Sequence, residues 1–179
     1  MSAANNPMTA DELRARQAPL KEKYKADAAS AQDVLRARAT VSTTDIAVTV
    51  ETSAAAGGGT VVGLHPATGG VGGQACSGDM LLQALVGCAG VTLRSVSTVM
   101  GLPLRSGVVL AEGDLDWRGT LGVSKEAPVG FSAVRLRFEL DIEATDEQVA
   151  KLVQLTERYC VVAQTIRAAV PVTSTHARK

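Results

Sequence analysis

The chain has 179 residues and no formal net charge, with 46% hydrophobic and only 3% aromatic residues. That length suffices for a domain with a buried core. The missing basic excess excludes an electrostatic nucleic-acid binder, and so few rings exclude a stacking platform for bases.

Residues 1–8 read as disordered and lack the basic start and apolar stretch of a secretion signal. No apolar run free of charges and small polar residues reaches the roughly 18 residues of a membrane span. A cytoplasmic protein is therefore expected, without nucleic-acid or membrane partners. Its three cysteines, an odd number, then suit reactivity or core packing better than a disulfide scaffold.

Thr9 and Glu12 have capping-box spacing and open a charged helix to about Tyr24, with Pro19 expected to bend or break it. A second helix is expected from Ser30, with Asp33 at the matching capping position, to about Arg38. Residues 1–39 thus form a polar N-terminal helical arm, and 40–179 a single domain. Alternation at Val41, Thr43, Ile46, Val48 and Val50 predicts one strand over 40–50. Gly57-Gly58-Gly59 supplies a turn and residues 60–64 the return strand of a hairpin.

A glycine-rich loop, His65 to Gly73, follows. Its Gly70-Val71-Gly72-Gly73-Gln74-Ala75 nominally matches a dinucleotide fingerprint, but no acidic residue follows at the required distance and no βαβ unit surrounds it. We read it as a mobile substrate-access loop. Ser77 caps a helix running to about Met100, hidden from water, and Gly101-Leu102-Pro103 stops it. Residues 105–118 predict a strand with a bulge at Gly113, and Trp117 is assigned to the core or a dimer interface. Residues 131–143 alternate as a strand with one solvated side, hence antiparallel. Thr145 and Gln148 cap an amphipathic helix to about Tyr159, and 170–175 form a last strand. Strands in blocks between helices indicate α+β.

The informative residues are two cysteines. Cys88 lies in the uncharged run Met80–Leu93, and Cys160 follows the last long helix beside Arg158. They are too far apart in sequence for a zinc knuckle, and with only His65 and His176 present a catalytic zinc is not expected. No organic cofactor is expected either. From residues alone, each thiol reads as a small core residue or as half of a redox couple. Burial disfavours the thiolate, so a reactive Cys88 needs a nearby cation or hydrogen-bond donor. Cys76, just before a helix N-terminus, is either an alternative resolving or sensing thiol or an idle loop residue. His65 is either a donor or base near a pocket or plain surface.

The words Ser77-Gly78-Asp79-Met80-Leu81-Leu82-Gln83-Ala84-Leu85-Val86-Gly87-Cys88, then Thr92-Leu93-Arg94, Gly101-Leu102-Pro103-Leu104, Arg158-Tyr159-Cys160-Val161-Val162 and Val170-Pro171-Val172 resemble the OsmC/Ohr family of thiol peroxidases. The resemblance covers roughly residues 40–175, and the arm resembles that of a longer subgroup. It implies an OsmC-like α+β fold, with antiparallel sheets wrapped around long central helices in an intertwined homodimer. It further implies an organic hydroperoxide substrate, attack by Cys88, resolution by Cys160, and a dithiol reductant of the lipoyl type.

Strong peroxidases of the family carry a glutamate ten positions before the first cysteine, holding an arginine against the thiolate. Here that position is Gly78, and Val41 to Ala75 contains no arginine or lysine. Candidate supporting residues are therefore Asp79, Arg36, Arg38, Arg94, Arg158, His65 and Cys76. The missing glutamate leads us to expect a low thiolate fraction and a rate rising steeply between about pH 7 and 9. The retained second cysteine favours a peroxidase. The missing charge partners favour a non-catalytic binder of hydrophobic small molecules on the same fold, and a redox sensor is the third alternative.

Overall fold

Local signals in the sequence decide where most helices begin and end. The computed structural model describes residues 8–52 and 59–178. The stretch expected to be disordered, apart from Met8, and Gly57 and Gly58 of the expected turn lie outside the described residues. Helix α1 (Ala10–Ala26) starts at the expected capping box: the Glu12 amide donates to Thr9 Oγ1 at 3.2 Å and the Thr9 amide to Glu12 Oε2 at 2.8 Å. Pro19 does not break it. Proline costs the helix one N–H donor and a clash with the preceding turn, and α1 runs through it with no buried residue.

The helix expected from Ser30 to Arg38 is absent. A single 3₁₀ turn covers Ala28–Ala31, and strand β1 (Ala37–Val41) follows. The expected single strand over 40–50 is instead a hairpin of β1 and β2 (Ala47–Thr52). Ser42 Oγ accepts the amides of Thr44 and Asp45 at 3.2 and 3.1 Å, so local side-chain bonds turn the chain where alternation predicted continuity. Strand β3 (Thr60–Gly63) pairs antiparallel with β2, giving the order β1-β2-β3.

Helix α2 spans Ser77–Met100 and ends where Gly101 takes a φ of 67°. Strand β4 (Leu104–Asp114) pairs with β5 (Ala133–Ile142). The Glu143 amide reaches Pro103 O at one end and the Ser132 amide reaches Asp114 O at the other, as an antiparallel pair requires. The strand expected through 118 stops at Asp114. Asp116 Oδ1 accepts the Arg118 amide at 3.0 Å and nucleates a one-turn helix, α3 (Trp117–Thr120). Trp117 is thereby removed from the strand and is only partly buried. Gly113 lies within β4, and the Phe131 ring occupies the space beside it: a Cβ there would fall 2.4 Å from that ring.

Helix α4 (Asp146–Tyr159) begins at the expected Thr145/Gln148 capping box. Residues 170–175, expected as a strand, are irregular. Helix α5 (Val161–Ala168) precedes them instead, and the chain leaves it through Ala169 with a φ of 46°.

Two units are distinguished, with α2, β4 and β5 running through both. One consists of the chain through Gln83 and Ala111–Leu136, the other of Ala84–Leu110 and Arg137–Lys179. The second holds the main apolar core. Leu93, Leu102 and Leu152 are buried there, with Val96, Met100, Leu104, Val109, Phe138, Leu140 and Ile142 packed around them. The two buried hydroxyls spend their protons within their own helices, Ser97 on Arg94 O and Thr156 on Leu152 O.

Helix α2 differs from expectation. Leu85, Ala89, Leu93 and Ser97, four residues apart, form its buried stripe. Val91 on another face is 73% exposed and Val99 43%. The helix is not hidden from water on all sides, because one chain packs protein against one stripe only. By length and apolar composition alone α2 would suit a bilayer span; 22% of that stretch is buried, along the Leu85–Ser97 stripe.

Candidate functional site: two thiols at a helix junction

Both cysteines of the expected couple lie in the second unit, close enough that each shifts the other's titration. Cys88 is on α2 one residue before the buried Ala89, so its own side chain is only partly buried. Cys160 is 0% exposed and forms the junction of two helices. Its amide closes α4 on Thr156 O at 2.9 Å. Its Sγ caps α5 by accepting the Ala163 amide at 3.5 Å, and its carbonyl accepts the Gln164 amide at 3.0 Å. Its backbone is extended (φ −73°, ψ 106°), so the chain turns sharply and the first amides of α5 are left without intrahelical acceptors.

Those amides converge on Cys88. Burial acts most strongly on this thiol and pushes its pKa up. Hydrogen bonds from the Val162 amide, the Cys160 thiol, the Val161 amide and the Thr92 hydroxyl outweigh it, and the net shift is downward. Thr92 contributes least, which its geometry explains: its single hydroxyl proton is already donated to Cys88 O at 2.8 Å. Cys160 shifts the other way. Burial raises it first, and although the Ala163 amide opposes this, the Cys88 sulfur reinforces it. The two thiols therefore shift in opposite directions, Cys88 down and Cys160 up, so that of the pair Cys88 gives up its proton more readily.

The other candidate residues are not gathered at this sulfur. Among the described residues, no cation acts on Cys88. Arg94, on α2, donates to Leu104 O at 3.2 Å, and Arg158, on α4, lies over the Tyr159 ring at 5.5 Å. Arg36, beside β1, donates to Val34 O at 3.3 Å. Arg38 sits on β1 opposite Glu51 in the other unit. That unit also contains Cys76, Asp79 and His65, which line a cavity together. His65 Nδ1 accepts the Ala67 amide at 3.0 Å and its ring stacks on Trp117. The glycine-rich loop takes left-handed turns at Gly69, Gly72 and Gly73, and its Ala75 bridges to Val62 of β3.

Sequence reasoning missed the donors that matter most here, the amides of Val161 and Val162. Backbone groups leave no residue signature. The available signal was the apolar spacing Val161, Val162, Ala163 and Ile166, which marks a short helix directly after Cys160.

Comparison with known proteins gives one family. The family model for OsmC-like protein matches residues 70–175. No curated protein matches the sequence. Among solved structures, the fold is similar to an OsmC-like protein from Mycoplasma pneumoniae (TM-score 0.63, 11% identity, 76% of this chain and 89% of that one). It is also similar to an organic hydroperoxide resistance protein OsmC from Legionella pneumophila (0.59, 19%, 75% and 90%). A third is the organic hydroperoxide resistance protein OhrB of Bacillus subtilis (0.55, 13%, 75% and 91%).

Proposed function

We infer from the membership of this chain in the OsmC-like protein family, to which it belongs by the match over residues 70–175, that it is a thiol-dependent peroxidase acting on organic hydroperoxides. The observation that supports this reading is the asymmetry of the two thiols: Cys88, on which the Cys160 thiol and two amides of α5 act, is shifted down, and Cys160 is shifted up. Organic hydroperoxide resistance is what the Legionella and Bacillus neighbours are named for, and that chemistry suits such a pair.

In the proposed cycle the Cys88 sulfur attacks the outer oxygen of the hydroperoxide. The S–O bond forms as the O–O bond breaks, giving a sulfenic acid and an alkoxide. The Cys160 proton neutralises the alkoxide to the alcohol. The Cys160 thiolate so produced attacks the Cys88 sulfur, expels hydroxide and leaves a disulfide. An external dithiol, of the dihydrolipoyl class, reduces the disulfide by exchange and is itself oxidised. The first amides of α5 supply the positive partial charge that an arginine would otherwise provide, through backbone dipoles.

The exposed apolar side of α2, with Val91 and Val99, supports a homodimer in which a second copy covers it. Free thiols of this kind suit the cytoplasm. The test is stopped-flow oxidation of the reduced protein by cumene hydroperoxide and by hydrogen peroxide. Consumption of the organic peroxide that disappears in Cys88→Ser is the expected result. Equal consumption by wild type and Cys88→Ser would remove the peroxidase.

A further inference from the structure

The cavity of the first unit carries binding chemistry that the thiol pair does not use. Its volume, about 440 Å³, is within the range of small-molecule sites. Its apolar wall is preorganised. Trp117 is held by the stack on His65, with ring centroids 4.6 Å apart and planes within 16°, and His65 is itself fixed by the Ala67 amide. The Phe131 ring is seated against Gly113, where no side chain competes.

Two carboxylates line the cavity. Both oxygens of Asp114 are taken by Arg135, at 2.6 and 2.7 Å. Asp79, in the first turn of α2, has no hydrogen bond or ion pair among the described residues. Among the described residues, no lysine or arginine lines the space. Gly78 keeps it open. A Cβ at that position would lie 3.5 Å from Phe131 Cζ and 3.8 Å from the Cys76 sulfur, so a longer side chain would grow in among groups that line the cavity. The family's glutamate position is thus the position whose missing side chain gives the cavity its room.

We propose that this cavity binds a small organic ammonium ion, its cationic head on Asp79 and its compact apolar body against Trp117 and Phe131. An anion would meet Asp79 with no compensating cation. A neutral molecule would gain nothing from the exposed carboxylate, which water already solvates. An ammonium satisfies the carboxylate and gains from the aromatic rings. The proposal makes no use of the Cys88–Cys160 pair and stands whether or not that pair reduces peroxides.

Trp117 is the only tryptophan of the chain, so its fluorescence reports occupancy directly. The experiment titrates the full-length protein with choline and with its neutral isostere 3,3-dimethylbutan-1-ol. Choline should bind at least about tenfold tighter. Asp79→Asn should erase that preference, and Gly78→Leu should weaken both ligands.

A second measurement uses Cys76, which lines the same cavity. With Cys88 and Cys160 both changed to serine, it is the only thiol of the chain. Methanethiosulfonate reagents convert it to a mixed disulfide, releasing methanesulfinate and the thiol proton. The trimethylammonium reagent should outpace the sulfonate reagent by at least about tenfold more than it does on free mercaptoethanol. Choline should protect Cys76, and Asp79→Asn should return the ratio to the free-thiol value. Equal binding of choline and its isostere overturns the proposal. So does a rate ratio at Cys76 equal to that of the free thiol, or cation binding unchanged by both Asp79→Asn and Gly78→Leu in variants with a wild-type circular dichroism spectrum.

Discussion

Val161→Pro is the cleanest perturbation of the amide cradle around Cys88. Proline has no N–H, so it deletes the Val161 donor to the sulfur. The helix should tolerate it. Val161 is the first residue of α5, where the amide has no intrahelical acceptor and proline is favoured. The preceding residue, Cys160, already has the extended backbone that proline demands of its neighbour. Little packing is lost, because Val161 is 69% exposed.

A hydrogen bond to a charged group contributes about 1.5–3 kcal/mol. Val161 acts less strongly on Cys88 than Val162 does and lies in contact with water, so the lower end applies. About 1.5 kcal/mol moves the Cys88 titration up by about one pH unit. The assay is the pH dependence of iodoacetamide alkylation of Cys88, followed by mass spectrometry, with Val161→Ala as the control that keeps the amide. Below the midpoint, alkylation of Val161→Pro should be about tenfold slower than that of Val161→Ala. The same midpoint in both variants, with the helical spectrum intact, would refute the idea that α5 amides hold the thiolate.

Cys160→Ser should leave the first oxidation of Cys88 in place and stop turnover, so dimedone should label Cys88 after one dose of cumene hydroperoxide; no adduct would argue against resolution by Cys160. Peroxide consumption should rise with pH on the acid side of the ordinary thiol midpoint, because the Cys88 pKa is lowered. Stability should also follow pH. The Cys88 contribution is present above the ordinary thiol pKa and is lost as pH falls through its lowered value. That of Cys160 is present below the ordinary thiol pKa and is lost as pH rises through its raised value. The urea midpoint of the reduced protein, relative to the double serine variant, should therefore peak near about pH 8.5, and a flat difference would contradict the opposite shifts. Leu152→Ala should cost about 3 kcal/mol in urea denaturation. Leu152 is 0% exposed in the core with Leu93 and Leu102, and alanine suits a helix, so the loss measures packing alone.

The sequence by itself determined the features whose causes are local. The capping boxes at Thr9/Glu12 and Thr145/Gln148, the stop of α2 at Gly101 and the alternation along β5 each depend on residues within a few positions, and each lies where the spacing predicts it. The quoted words around Cys88 and Cys160 carried the family. Local signals failed where another bond competed. Ser42 turned an expected strand into a hairpin, Asp116 ended β4 early to start α3, and Cys160 capped a helix that displaced the expected last strand. Only the tertiary structure decided which groups act on the Cys88 thiol. Sequence chemistry searches for charged side chains and so pointed to Arg38, Arg94 and Arg158, whereas the donors are amides that every residue but proline carries. An amide acquires a function from where the fold aims it, and that direction depends on the turn at Cys160 from which α5 starts.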